Sequence, residues 1–378
     1  MMIGPYPESP ERIDGGVAAA TIYLSQALAT RDDVELIGAR ITRGGDEGRV
    51  DHALGWPVVD IPLGRMSLST YFIAQRRRLG QLLTKFQPHV VHAQGADIAG
   101  LLAVNSGRPP IVTAHGMLAE CARFQTDPAN RLRATLAAMV TERQTIRRTP
   151  DLIAISPYVA RYFREDIRGR VHEVPNAIKD QFFEVKRAVE RGRILYAGRI
   201  ANGKGLEDLM HAVARNTPAV TRLVLAGATP DPTYGDRLRK LVDALRIGDR
   251  VHFSGFLSEK ELMQEFSLAE ALVLPSFQET APMVVQQAMA TGMPVIATTV
   301  GGIPYQLQDN VSGLLFEAGD TAALAGLIAR LASDETLSRR LGEAARISAQ
   351  SRYRAGSVAD ATVKVYRKAL ENARRPHG

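Results

Sequence analysis

The chain has 378 residues, 45% of them hydrophobic, and 47 Lys and Arg against 40 Asp and Glu give a net charge of +7. That length exceeds what one hydrophobic core supports, so two domains are expected. A single cysteine, Cys121, excludes an internal disulfide, and no apolar run reaches the roughly 20 residues that a membrane-spanning helix needs.

Residues 1–4 read as a very short first strand. The opening MMIGPYP has neither a charged n-region nor an apolar h-region. With the lone cysteine this suits a reducing cytoplasm, so a cytoplasmic location is expected. Pro5, Pro7 and Pro10 hold an extended loop. Gly15 and Gly16 then precede an amphipathic helix over 17–28. A glycine pair opening a helix lets the backbone approach a phosphate or a sugar. Strands are predicted at 34–41, 58–61, 90–92, 111–114, 152–155 and 171–174, with helical patterns between most of them. Such alternation argues for a parallel, doubly wound sheet.

A helix predicted over 68–86 carries Arg76, Arg77 and Arg78 on a polar side. That side suits either a solvated face or contact with a membrane surface. From 65 to 178 the chain has 16 Lys and Arg against 8 Asp and Glu, which leaves the rest close to neutral. Such a patch fits an anionic partner: nucleic acid, a membrane surface or a phosphorylated acceptor. Zinc-finger spacing and an aromatic-rich RNA-binding strand are both missing, so no nucleic-acid partner is expected. His115 and Gly116 directly follow the strand 111–114. A lone histidine is usually structural, but one at the carboxyl end of a parallel strand faces the ligand crevice of such a sheet. Nothing near Cys121 beyond His115 would activate a thiol, so no catalytic role is expected for it.

The segment 184–193 is charged and lacks strand character, and it reads as the linker. It separates a first domain, 1–183, from a second, 184–356. The second repeats the alternation, with strands at 194–197, 223–226, 251–254, 271–274, 295–297 and 313–316. Helices fall at 205–215, 235–245, 258–267, 282–291 and 321–332, and helical pattern resumes from Glu335, interrupted around 348–356. Gly198, Arg199, Lys204 and Gly205 span the loop from the first of these strands to the first helix. Two cations there can clamp a diphosphate, Arg through its planar fork and Lys as a point charge.

The most informative stretch runs LPSFQETAPMVVQQAMATGMPVIATTVGG, residues 274–302. It reads as strand, polar loop, short helix, strand and glycine turn. Pro282 stands where a helix wants its first residue, and Gly292 where it wants its end. Val284, Val285, Ala288 and Met289 give helical apolar spacing. Glu279 therefore lies in a loop just outside the sheet's carboxyl edge. The adjacent helix N-terminus offers backbone N–H groups and a positive dipole end to a phosphate.

This stretch resembles the signature of the retaining glycosyltransferases of family four, the GT-B class that uses nucleotide sugars. In that family the loop and helix carry a Glu, seven residues, then a second Glu. Here the first is Glu279 and the second position holds Gln287. The 198–205 loop is similar to the family's G-R-x4-K-G element at all four marked positions. His115-Gly116 and the Gly15-Gly16-Val17 turn also have family counterparts, and Pro175-Asn176-Ala177 resembles a PN-G turn.

The resemblance implies two Rossmann-like domains of doubly wound parallel sheet facing a central cleft. The first, completed by a C-terminal crossover helix within 357–378, would hold the acceptor, and the second the nucleotide sugar. The implied enzyme is a glycosyltransferase, in the likeness of a hexosyltransferase, that moves a sugar to an acceptor hydroxyl with retained anomeric configuration. Arg199 and Lys204 would stabilise the leaving diphosphate. His115 would position the donor sugar, and Glu279 would bind its hydroxyls. Gly15, Gly16, Gly227, Phe253, Thr280, Ala281, Pro282, Met283, Val284 and Gln287 would complete the substrate sites, with His252 structural. Metal-dependent glycosyltransferases of the other main fold hold a cation with an Asp-x-Asp triplet, which this chain lacks. No metal or cofactor is therefore expected, and the partners are a nucleotide-sugar donor and a hydroxyl acceptor, lipid-linked or anionic, at the inner face of a membrane. Two rivals share the frame: a phosphorylase or epimerase, and a catalytically weakened binding protein, which Gln287 favours.

Overall fold

The computed structural model describes residues 1–9, 12–42, 49–63, 72–124, 127–216 and 219–374. They divide into two compact units, Met1–Ala177 with Ala355–Gly378, and Ile178–Arg354.

In chain order the first unit contains β1 (Met2–Ile3), α1 (Gly16–Ala29), β2 (Gly38–Thr42), β3 (Val50–Asp51), β4 (Val58–Pro62), α2 (Ile73–Phe86), β5 (Val91–Gln94), α3 (Ile98–Val104) and β6 (Pro110–Ala114). It continues with α4 (Leu118–Ala122), α5 (Pro128–Ala137), a π-helical turn (Ala138–Glu142), α6 (Arg143–Arg148), β7 (Asp151–Ala154), α7 (Pro157–Tyr162) and β8 (Arg170–Glu173). The strands line up as β3-β4-β2-β1-β5-β6-β7-β8. All pairs are parallel except the short edge strand β3, which runs antiparallel to β4. β5, β6 and β7 carry runs such as IVTA and LIA that are buried throughout, as a parallel sheet covered on both faces requires. β1 pairs with both β2 and β5. Chain direction across the sheet therefore reverses there, and ligands of open α/β sheets bind beside such a switch point.

Three expectations for this unit need adjustment. The strand expected over 34–41 begins only at Gly38. Before it, the Ile37 carbonyl already accepts the Met2 N–H at 2.8 Å, and the residues ahead of Ile37 have no ladder partner. The helix expected over 68–86 begins at Ile73; residues 68–71, like Arg65 and Pro10, lie outside the described residues. Arg76, Arg77 and Arg78 fan around α2, with Arg77 exposed and the other two half-buried.

The second unit contains α8 (Asp180–Glu184), β9 (Arg193–Ala197), α9 (Leu206–Arg215), β10 (Arg222–Ala226), α10 (Pro232–Ala244), β11 (Val251–Gly255), α11 (Glu259–Leu268) and β12 (Ala271–Leu274). After these come α12 (Met283–Thr291), β13 (Val295–Thr298), a 3-10 turn (Ile303–Tyr305), β14 (Leu314–Phe316), α13 (Thr321–Ser333) and α14 (Glu335–Arg352). Its six parallel strands are ordered β11-β10-β9-β12-β13-β14. Renumbered from its first strand this is 3-2-1-4-5-6, the doubly wound nucleotide-binding order, with the switch point between β9 and β12. Leu206, Leu209, Met210 and Val213 bury one face of α9 completely. Each such side chain contributes about 1.5–3 kcal/mol.

The segment 184–193, expected as a linker, is bound to this unit. The Arg187 guanidinium donates to the carbonyls of Phe266 and, at 2.7 Å, Ala269. Ala188 and Glu190 N–H groups reach Ser267 and Leu268 carbonyls at 3.0 and 2.8 Å. Its charges thus cap the end of α11. The units divide six residues earlier than expected, at Ala177/Ile178. Phe182 and Phe183 of α8 are buried, and Phe182 packs edge-on against Phe266 at 6.0 Å. At the far end the division falls at Arg354/Ala355, and α15 (Ala355–Arg374) returns to the first unit. There its Asp360 and Arg367 pair with Arg31 and Asp33, and the Tyr366 hydroxyl meets His92 Nδ1 at 2.7 Å.

Candidate active site

In the second unit the site lies at the switch point. The loop after β9 and the loop after β12 are locked together by backbone. Gly205, at φ 66°, caps α9 so close to the second loop that a Cβ would stand 2.0 Å from the Pro275 carbonyl oxygen. Phe277 N–H donates to the Gly203 carbonyl at 2.9 Å. Lys204 sits between those two contacts, and its Nζ donates to Glu279 Oε1 at 2.6 Å. Both side chains are largely withdrawn from solvent, 23% and 13% exposed. The Glu279 carbonyl also accepts the Gly302 N–H, at 3.1 Å, which fixes the loop from the β13 side.

Arg199 is exposed at the head of the first loop. The buried Tyr196 hydroxyl donates to the Arg199 carbonyl at 2.8 Å, and burial pushes the Tyr196 pKa well up, so this donor stays protonated. Gly227 ends β10 at φ 150°, where a Cβ would stand 1.9 Å from the Gly198 carbonyl oxygen. Pro282 is the N-cap of α12, with φ −61° and ψ 122°, so the helix begins one residue later than expected, at Met283. No side chain caps it, which leaves its N-terminus suited to an anion. Thr280 and Val284 are half-buried there, whereas Ala281, Met283 and Gln287 are buried. Gln287, at 5% exposure, is not a solvated helix residue. Phe253 is half-buried on the edge strand β11 with the Arg239 guanidinium over its ring at 5.2 Å; His252 beside it is exposed.

The first unit holds the remaining candidates. Gly15, at φ 88°, and Gly16 open α1, exposed and without a side-chain cap. His115 follows β6 and is half-buried. Its Nε2–H donates to Gln94 Oε1 at 2.6 Å. Burial holds its pKa down at about 4, opposed by the hydrogen bond that the charged ring donates to the Asn176 side chain. At neutral pH the ring is therefore neutral with its proton on Nε2. Behind it, His92 joins Thr113 and Tyr366 through 2.7 Å bonds from its two ring nitrogens. A small pocket lies here, lined by Leu24, Gln94, Thr113, His115, Asn176 and Thr362.

Sequence reasoning missed Gln94 and Glu142 and gave Asn176 no role at the ring. Gln94 carried one signal, a polar residue ending a buried strand. Its contact with His115 depends on β5 lying beside β6, which only the sheet order reveals. Among the described residues no group of three His, Cys, Asp or Glu is arranged to hold a metal ion.

Two family descriptions match the chain: "Glycosyltransferase Family 4" over residues 14–182 and "Glycosyl transferases group 1" over residues 177–348. The D-inositol 3-phosphate glycosyltransferase of Streptomyces griseus is 34% identical over 189 residues, covering 48% of this chain and 40% of the relative. The chain thus spans less than two thirds of the first curated relatives it matches, at 40%, 41% and 56% of their lengths. The enzyme of that name from Streptomyces scabiei aligns over 96% of this chain and 88% of its own, at 28% identity. Among solved structures, sucrose-phosphate synthase from Thermosynechococcus elongatus superposes with a TM-score of 0.83 over 98% of both chains, at 22% identity. With the two family descriptions together matching residues 14–348 and this two-sheet architecture, the chain belongs to the family-four, group 1 glycosyltransferases and has their GT-B fold.

Proposed function

We propose that the protein transfers a sugar from a nucleoside-diphosphate sugar to an acceptor hydroxyl, with retention of anomeric configuration and without a metal ion. The observation that carries this reading is the Lys204–Glu279 pair at the switch point, beside the uncapped start of α12. A lysine ammonium has three donors. One is spent on Glu279, which leaves the others for a diphosphate, with Arg199 and the α12 N–H groups as further donors. Glu279, oriented by Lys204, accepts sugar hydroxyls. The neutral His115 ring and the Gly15-Gly16 turn serve the donor sugar and the acceptor. The bond from the anomeric carbon to the diphosphate oxygen breaks as the acceptor oxygen attacks from the same face, and the acceptor proton passes to the departing phosphate. A panel of UDP-, GDP- and ADP-sugars with simple hydroxyl acceptors tests this. An α-linked donor should give an α-linked product by NMR; a β-linked product would refute retention.

A membrane-borne acceptor is favoured by a separate observation. No residue of α5 is buried, and Leu132, Leu136, Met139 and Val140 stand 61%, 51%, 58% and 36% exposed on one stripe through α5 and the π-turn. Exposed Arg131 and Arg133 flank the stripe. Apolar side chains between arginines fit the interface of an anionic bilayer. This stripe is a better candidate than Arg76, Arg77 and Arg78, which share no face. Among the described residues no helix is long and apolar enough to cross a membrane, so contact would be peripheral. Leu132→Asp with Leu136→Asp should abolish sedimentation with phosphatidylglycerol vesicles; unchanged sedimentation would leave the stripe without this role.

A further inference from the structure

We infer that Glu142 is a positioning residue that sets the His115 loop from across the unit. The inference rests on the reading that His115 works at the donor sugar, but its first test does not.

Helix α4 starts three residues after His115. Its N-cap is Met117, buried and unable to cap, with Gly116 before it. The first N–H groups of a helix need acceptors. Here they come from Glu142, whose Oε1 accepts the Leu118 N–H at 2.9 Å while its carboxylate also bonds the Ala119 N–H. A Ser, Thr or Asp at position 117 would cap the helix locally at lower cost. Instead the chain buries a carboxylate to 2% exposure, which is unfavourable unless its oxygens are well bonded. Burial, chiefly, raises its pKa to about 7; Asp97 adds to the rise, and the backbone bonds and Arg143 oppose it.

The backbone around Glu142 is also unusual. It closes the π-helical turn Ala138–Glu142, where Met139 and Val140 face solvent while Thr141 and Glu142 face inward. Such turns insert one extra residue into a helix and frequently mark functional positions. The turn thus changes which side chains point inward, and Glu142 is delivered under the loop. His115 then has three anchors: Gln94 and Asn176 on its ring, and Glu142 on the backbone that follows it. Glu142 itself reaches no reacting atom.

The test uses the full chain labelled with ¹⁵N-histidine. Glu142→Gln keeps an acceptor oxygen in place, whereas Glu142→Asp withdraws it by one methylene. In the wild type and the Gln variant the His115 ring should titrate near 4 as the Nε2–H tautomer. In the Asp variant the loosened ring should hydrate, and its pKa should climb toward the ordinary value of about 6.5. Exposed His211 and His252 report whether the rest of the chain is unchanged. His115 titrating identically in all three proteins, or moving as far in Gln as in Asp, would overturn the inference. The second readout is turnover with a sugar nucleotide that supports it. Glu142→Asp should lower kcat by about 10²-fold with little change in donor KM, and should cost nothing further in a His115→Ala background. Additive losses would reduce Glu142 to a structural cap. If no sugar nucleotide is turned over, the ring titration still decides the role of Glu142.

Discussion

Gln287 is the site residue at which this chain departs from the Glu-x7-Glu pattern that it otherwise resembles. Its side chain is 5% exposed on α12, on the helix whose N-terminus adjoins Glu279. An ionised acceptor bonds a hydroxyl with about 1.5–3 kcal/mol, a neutral one with about 0.5–1.5. Gln287→Glu should therefore tighten nucleoside-diphosphate binding by roughly five- to tenfold, read by titration calorimetry. Because the site is buried, the new carboxylate should also lower the melting temperature of the free protein and enlarge the shift caused by the nucleotide. Unchanged affinity would place Gln287 outside the nucleotide site, and weaker affinity would mean that the pocket is built around the amide. Chemistry should persist in either form, since Arg199, Lys204 and Glu279 are untouched.

Among the elements, the pair of loops after β9 and β12 decides whether Lys204 reaches Glu279. Gly205 holds them together because nothing larger fits against Pro275. Gly205→Ala adds a Cβ at positive φ, costing about 1–3 kcal/mol in strain, and drives it into a backbone oxygen. The variant should melt at least about 4 °C lower and lose turnover as the ion pair separates. A variant that melts and reacts like the wild type would mean that the loops are not coupled. Much at this scale was legible beforehand. Alternating apolar runs and helical patterns marked every strand but the two-residue edge strand β3 to within a few residues, and Pro282 and Gly292 bracketed α12. The strand order was not legible, because parallel neighbours are brought together by crossovers that leave no local trace. Hence the switch point, the approach of Gly227 to Gly198 and the Gln94–His115 bond all had to come from the structure. Glu142 was invisible for another reason: in MVTERQT it reads as one more charged helix residue, and only its burial reveals it. The charged 184–193 segment misled in the opposite way, since Arg187 spends its charge on backbone carbonyls.

At the scale of the molecule the charge is divided unequally. The first unit has 26 Lys and Arg against 20 Asp and Glu, and the second 21 against 20. The basic unit also carries the exposed apolar stripe of α5, which together favour an anionic surface or acceptor on that side. The near-neutral unit places two of its 21 cations, Arg199 and Lys204, on the loop at its switch point. The central claim is that those cations stabilise a leaving nucleoside diphosphate without help from a metal. Its most direct measurement is nucleoside-diphosphate release from sugar nucleotides in excess EDTA, with wild-type protein and Lys204→Ala side by side. Wild-type release should be unaffected by EDTA, and Lys204→Ala, assayed well below its own melting temperature, should be slower by about 10²–10³. Release that stops in EDTA and returns with Mn²⁺ or Mg²⁺, or a Lys204→Ala protein as fast as wild type, would contradict it.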